Sequence, residues 1–226
     1  FSDEIYDQMT YEGAEFVPMA TLVHDTLCAT LAGLSKVYRA CGYRVGWAVF
    51  SGRTHAAADY LKGLELLGSL RLCSNVMGQW AVQTALGGHQ SVRELVSPGG
   101  RLFESRAAIL DAMRASRFLV LEPPGGAMYA FIGVDPRALP DFDDQRFAQD
   151  LLEQQHVLIA PGVSFNVPYR THFRITNLPD AAVLREVFAR IEELLCGYGA
   201  MSGTPAAQPG AAGGAGNVVS ARSRFK

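Results

Sequence analysis

Cysteine is scarce and scattered in this chain. Cys28, Cys41, Cys73 and Cys196 are the four among 226 residues, and they form no C-x-x-C pair and no metal-ligand spacing. That excludes a disulfide-stapled scaffold or a zinc finger. It fits small core residues in a reducing compartment, hence a cytoplasmic protein. Charge of one sign is lacking too. The formal net charge is −2, with basic and acidic residues intermixed. No nucleic-acid partner and no anionic membrane surface is expected on that balance. No apolar run approaches the ~18 residues of a membrane span. The five histidines, His24, His55, His89, His156 and His172, do not cluster and read as structural or surface groups. No Gly-x-Ser-x-Gly, P-loop or Gly-x-Gly-x-x-Gly pattern occurs, and the pairs Gly87-Gly88 and Gly99-Gly100 read as helix ends. The opening Phe1-Ser2-Asp3-Glu4-Ile5-Tyr6 has neither an initiator methionine nor a signal-peptide pattern. It reads as the second half of a strand, so the natural protein is expected to begin further upstream.

What is present is an ordinary globular composition, 49% hydrophobic and 19% charged. Strands are predicted over 1–6, Thr26–Leu31 and Arg44–Phe50. Residues from Arg53 to about Cys73 place Ala57, Tyr60, Leu61, Leu64, Leu67 and Leu70 at helical spacing. Asn75 can cap a second helix that stops at Gly87-Gly88, and a short one runs from Ser91 to Val96. Pro98-Gly99-Gly100 punctuates the chain before an amphipathic helix over Arg101–Ala115. Strands at Phe118–Leu121 and Ala127–Ile132, a helix over Asp144–Gln155, strands at Val157–Ala160 and His172–Thr176, and a helix over Ala181–Leu195 complete an α+β unit. The fold class is therefore α/β followed by a small α+β part, divided at 1–100 and 101–198. Residues 199–226 are rich in Gly and Ala, have no apolar period, and read as a disordered tail.

Four places could carry chemistry. Lys36 follows the apolar run Leu27–Leu31 in a small-residue setting, beside the Ser35 hydroxyl. A desolvated lysine is a Schiff-base nucleophile, whereas a solvated one is an ordinary surface group. Arg44 opens the next apolar run, where it needs a phosphate or a structural ion pair. Asp3 and Tyr6 lie three apart at a strand end. They suit a protonated ring nitrogen and a phenolic oxygen of one cofactor, or a loop acid and a core tyrosine. Arg174, in His172-Phe173-Arg174-Ile175-Thr176, can grip a carboxylate with both arms of its guanidinium or close a rim salt bridge. Lys36 and Arg44 both fall at strand edges, where open α/β sheets hold their ligands.

The order of these groups carries more than any one of them. Asp3-x-x-Tyr6, Ser35-Lys36, Arg44 and a distal Arg174 resemble the class I/II aminotransferases of pyridoxal phosphate fold type I. Asp3-Glu4-Ile5-Tyr6-Asp7, Gly33-Leu34-Ser35-Lys36, Arg71-Leu72-Cys73, Gln83-Thr84-Ala85-Leu86-Gly87-Gly88, Pro98-Gly99-Gly100-Arg101-Leu102 and Phe173-Arg174-Ile175 look like the bacterial alanine (glutamate–pyruvate) branch over residues 1–198. The resemblance implies the C-terminal part of a large domain with a mostly parallel sheet (1–100), then the small C-terminal domain (101–198).

It also implies roles. Lys36 would bind pyridoxal 5′-phosphate covalently and shuttle a proton. Asp3 would face the pyridine nitrogen and Tyr6 the 3-oxygen. Arg44 and Ser35 would hold the phosphate, and Arg174 the substrate α-carboxylate. The substrates would be an amino acid and a 2-oxo acid, alanine and 2-oxoglutarate in this branch, turned over by a homodimer. The family chain further implies an upstream half with a glycine-containing phosphate loop, a stacking aromatic ring and an Asn-Pro-x-Asn-Pro-Thr-Gly segment. Without it, an exposed sheet edge and bare apolar faces are expected. Two other functions stay open: a catalytically incompetent remnant, and an aminotransferase-like effector domain of a regulator.

Overall fold

The computed structural model describes residues 1–120 and 122–201. In chain order its strands are β1 (Ser2–Asp3), β2 (Leu27–Gly33), β3 (Gly46–Gly52), β4 (Leu119–Val120), β5 (Tyr129–Val134), β6 (Ala160–Pro161) and β7 (His172–Thr176). The helices are α1 (Ala58–Arg71), α2 (Val76–Gly87), α3 (Val92–Val96), α4 (Arg101–Ala115), α5 (Asp144–Gln155) and α6 (Ala181–Met201). They build two sheets.

The first sheet has the order β1-β2-β3. β1 runs parallel to β2, with Asp3 opposite Leu31. β2 and β3 are antiparallel from Leu27 opposite Gly52 to Gly33 opposite Gly46. The sheet is mixed here, where the resemblance implied a mostly parallel one. Residues 34–45 hold turns and a short 3-10 helix (Cys41–Tyr43) instead of a crossover helix, so the chain folds straight back.

The second sheet has the order β4-β5-β7-β6 and is antiparallel throughout. Period-2 alternation sorts its side chains. Ala130, Ile132, Phe173 and Ile175 are buried in one core with Ile109 and Met113 of α4 and Leu184, Phe188 and Ile191 of α6. Tyr129, Phe131, His172 and Arg174 alternate with them, stay half-buried and form the opposite face. α5 closes the core with Phe147 and Leu151, both fully buried. The Phe147 ring centroid lies 5.1 Å from Phe142, 5.3 Å from Phe173 and 6.1 Å from Tyr198. Asp143 caps α5 by accepting from Gln145 N and Arg146 N.

A smaller core joins the two halves of the chain: Met9, Tyr11, Val37, Val92, Val96, Leu102 and Met128. It spans the division expected at residue 100. The turn before α4 needs its glycines. Gly99 has φ +82°, and a Cβ on Gly100 would stand 2.0 Å from Glu94 O. Tyr11 is tied to the segment before β5: its N–H donates to Gly125 O (2.9 Å) and its hydroxyl to Ala127 O (2.9 Å). Ala127 N–H donates back to Met9 O (2.7 Å), and Asn177 Nδ2 donates to the Tyr11 hydroxyl (2.5 Å).

Several expected boundaries shift; the strand predicted at Ala127–Ile132, for one, runs Tyr129–Val134. The helix predicted to end at Leu195 continues to Met201, because Tyr198 packs on Phe147 and extends the buried side of α6. The tail therefore does not start at 199; its residues 202–226, like the strand end at 121, lie outside the described residues. The strand predicted at Val157–Ala160 is only Ala160–Pro161, since β7 offers a ladder only at Arg174 and Phe173. The strand predicted from Arg44 starts at Gly46, because Arg44 adopts φ 51° as it leaves the 3-10 helix. The expected bare apolar faces are present. α1 buries no residue and α2 only Gly78, leaving Leu70 81% and Trp80 77% exposed.

Candidate active site

Because β1 and β2 are parallel, Asp3–Tyr6 and Leu34–Val37 leave the first sheet at the same edge, beyond the carboxyl ends of the strands. Asp3 is exposed, and its Oδ1 accepts only the Ile5 N–H (3.2 Å) among the described residues. Ser35 and Lys36 are half-buried between Leu34 (1% exposed) and Val37 (3%). Burying both flanks fixes the turn, which Arg39 N→Lys36 O and Ala40 N→Leu34 O close at 3.0 Å each. Neither the Ser35 hydroxyl nor Lys36 Nζ makes a side-chain hydrogen bond or ion pair among the described residues.

Leu34 N donates to Val45 O (3.0 Å), one step beyond the Gly33–Gly46 pair. Arg44 lies one residue upstream of Val45, at the end of the 3-10 helix Cys41–Tyr43. The Arg44 side chain is exposed, and its Nη1 donates to Cys41 O (2.7 Å). Asn75 braces this segment: its Nδ2 donates to Tyr43 O (2.6 Å) while its Oδ1 caps α2 by accepting from Gly78 N (3.1 Å).

Arg174 arrives from the second sheet. Its guanidinium carbon lies 4.3 Å from the Tyr129 ring centroid and 4.6 Å from that of Phe165, and no carboxylate pairs with it among the described residues. Tyr129 reaches Tyr6 in turn: the rings meet edge-to-face at 6.1 Å and the two hydroxyls stand 3.4 Å apart. Burial and the Tyr129 hydroxyl push the Tyr6 phenol well above its usual range, and the nearby Asp3 charge adds to this, while the Arg174 charge pulls against it. Tyr6 is thereby kept protonated, as a donor. Tyr38 is also raised, by burial and by Asp7.

The structure thus brings the segments of Asp3, Tyr6, Ser35 and Lys36 to one end of the first sheet, puts Arg44 just before the neighbouring strand β3, and links Tyr6 through Tyr129 to Arg174. No described contact joins Arg44 to Asp3 or Arg174. Sequence reasoning missed Tyr129 and Phe165, the rings beside Arg174. The alternation from Tyr129 to Val134 could have flagged Tyr129 as a partner on the Arg174 face; nothing local marks Phe165. The donor set fits pyridoxal phosphate by its chemistry: an amine without a partner among the described residues, a carboxylate for a ring N–H, a protonated phenol, and a hydroxyl and a guanidinium for a phosphate.

Residues 1–191 match the family described as Aminotransferase class I and II. Glutamate-pyruvate aminotransferase AlaA of Escherichia coli K12 is 42% identical over 198 residues, which is 88% of this chain and 49% of that protein. Alanine aminotransferase of Mycobacterium tuberculosis H37Rv is 40% identical over 87% of this chain and 46% of the relative. A solved E. coli aminotransferase superposes with TM-score 0.83 at 42% identity, covering 87% of this chain and 48% of that one. Alanine aminotransferase from Pyrococcus furiosus gives 0.79 at 32%, covering 87% and 49%. The chain spans about half the length of these relatives. They share the fold of type I enzymes, and class I and II aminotransferases depend on pyridoxal 5′-phosphate. On fold, motif order and sequence together, this chain belongs to the class I and II aminotransferases.

Proposed function

We propose that the chain is the C-terminal portion of an enzyme that moves an amino group between an amino acid and a 2-oxo acid, alanine and 2-oxoglutarate giving pyruvate and glutamate. The observation that carries this is the Lys36 amine, without a side-chain partner among the described residues, at the same sheet edge as Asp3 and Tyr6, with Tyr6 linked through Tyr129 to an Arg174 that no carboxylate pairs among the described residues. The alanine pair rests on the names of the E. coli and M. tuberculosis relatives. Residues 1–100 stand as the remainder of the cofactor-binding domain, 101–198 as the small domain, and a homodimer as the active assembly.

When bound, pyridoxal phosphate supplies an electron sink for the pair left on the substrate's α-carbon. Lys36 Nζ would hold it covalently and, as a free amine, take the proton at that α-carbon. The Asp3 carboxylate would keep the pyridine nitrogen protonated, and the Tyr6 hydroxyl would donate to the 3-oxygen. Ser35 and Arg44 would grip the phosphate, Arg44 exchanging the Cys41 carbonyl for it. Arg174 would take the α-carboxylate in a two-point contact, and so orient the Cα–H bond.

Borohydride reduction after adding pyridoxal phosphate, with mass spectrometry of the Lys36 peptide, tests the reading. The 226-residue chain alone should label weakly or not at all, and a version with the N-terminal half restored should label on Lys36. Label on another lysine in the restored protein refutes it. There, Arg174→Ala should raise KM for amino acids about 10- to 100-fold while leaving cofactor content intact. A second reading, a remnant that keeps the signature without a closed pocket, is favoured by the bare apolar sides of α1 and α2. Stoichiometric labelling with alanine–2-oxoglutarate turnover by this chain alone rules that out.

A further inference from the structure

We infer that Tyr129 and Phe165 are positioning residues for Arg174, holding its guanidinium with ring faces so that its N–H donors stay open to a carboxylate. This deepens, and rests on, the reading of Arg174 as the carboxylate grip. A bare guanidinium on a long side chain samples many rotamers, and ordering it on binding costs affinity. A protein can order it with a carboxylate, but that partner occupies the donors the substrate needs. Aromatic faces attract the cation through their quadrupole and take no N–H donor. Here two rings lie within 4.6 Å of the Arg174 guanidinium carbon, and no acid or carbonyl bonds it among the described residues.

The rings are themselves fixed. Phe165 meets Phe131 edge-to-face at 5.7 Å, and Phe131 stacks on His172 at 5.2 Å. Tyr129 meets Tyr6 edge-to-face and is carried by the β5–β7 ladder, opposite Thr176. Arg174 is opposite Phe131 in the same ladder. Backbone register therefore sets the arginine among the rings, and the rings brace one another. Lysine could not replace the arginine, because its compact ammonium lacks both the planar stacking face and the forked donors.

The test uses the protein with its N-terminal half restored, and propionate, a carboxylate with no amine and no need for cofactor. The Arg174 Nε–Hε resonance, assigned by its loss in Arg174→Lys, is followed by NMR as propionate is added. The wild type should show a saturable shift. Tyr129→Leu and Phe165→Leu should each weaken propionate binding roughly three- to fivefold and shorten the order of the ligand-free guanidinium in relaxation measurements. Tyr129→Phe keeps the ring and should stay within about twofold of the wild type. Backbone amide spectra report that each variant is folded, and the two leucine variants act at different rings, so failure of one leaves the other decisive. Leucine variants that bind propionate like the wild type, with an equally ordered guanidinium, overturn the positioning role alone. So does a Tyr129→Phe variant as weak as Tyr129→Leu. A wild type with no saturable shift overturns the carboxylate grip itself, and this inference with it.

Discussion

Replacing Gly78 by alanine sets two effects of opposite sign against each other. Gly78 lies in the first turn of α2, where alanine is worth about 1 kcal/mol over glycine in helix propensity. Yet a Cβ there would stand 2.4 Å from Val45 Cγ2, 2.9 Å from Tyr43 O and 3.2 Å from Asn75 Nδ2. The valine methyl can rotate away. The Tyr43 carbonyl cannot, since Asn75 Nδ2 already donates to it. Overpacking of this kind costs about 1–3 kcal/mol, so the net effect on α2 is a loss of about 0–2 kcal/mol. Gly63 and Gly68 in α1 are the controls, because a Cβ at either meets nothing within 4 Å. Gly63→Ala should gain the full propensity, about 0.5–1 kcal/mol. Native-state hydrogen exchange reads the opening free energies of α1 and α2 separately, which a single unfolding curve would blend. The two substitutions should differ by about 1–3 kcal/mol and take opposite signs. If Gly78→Ala stabilises α2 as Gly63→Ala stabilises α1, then α2 does not rest on the Tyr43–Val45 backbone, and the bracing of Arg44 described above fails.

Asn75→Ala removes both the cap of α2 and the donor to Tyr43 O; α2 amides should lose about 1–2 kcal/mol of protection, and unchanged exchange would refute the brace. Phe147→Ala empties a fully buried site ringed by Phe142, Phe173 and Tyr198, so urea unfolding should show a loss of about 3–5 kcal/mol, and a loss under about 1.5 would mean that the core refills. Burial holds the His172 imidazole below its usual range, partly offset by Asp144. The unfolded chain therefore takes up this proton first, and stability falls as pH drops from about 6.5 towards the depressed folded value. His172→Gln should flatten the stability–pH slope across that window, and an unchanged slope would show that burial does not weaken proton binding at His172.

Much of this was legible before any coordinates. Helices over Arg101–Ala115 and Asp144–Gln155 and the strand His172–Thr176 were read to the residue, because a cap or turn bounds each and an apolar face fills each. The first boundary of β3 was not. Arg44 takes a left-handed conformation that its type gives no reason to expect, and the apolar run beginning at Val45 masks it. The helical stripe through Leu67 and Leu70 is legible as periodicity, and it stays bare as the resemblance implies, because α1 has no surface among the described residues to lay it on. At the site, residue type and motif order single out Lys36, Asp3 and Tyr6 in the sequence, and the parallel pairing of β1 with β2 carries their segments to one end of the sheet. Phe165 was not, since its place beside Arg174 depends on a 3-10 turn (Gly162–Phe165) after β6, which no local pattern announces.

The Tyr11 anchorage has a kinematic consequence. Residues 9–11 sit in sequence with the first sheet but are fastened to 125–127 and Asn177 of the second, by four hydrogen bonds and the bridge between Thr10 and Gly126. Met9 N–H also donates to Tyr6 O (2.8 Å) and Gln8 Nε2 to the Tyr38 hydroxyl (3.3 Å), so this segment is fastened to both parts at once. The Tyr6–Tyr129 contact spans the same two parts, and Arg174 leans on Tyr129. A displacement of either part would therefore be transmitted through this clasp to both the Arg174 end and the Asp3–Tyr6 end of the site.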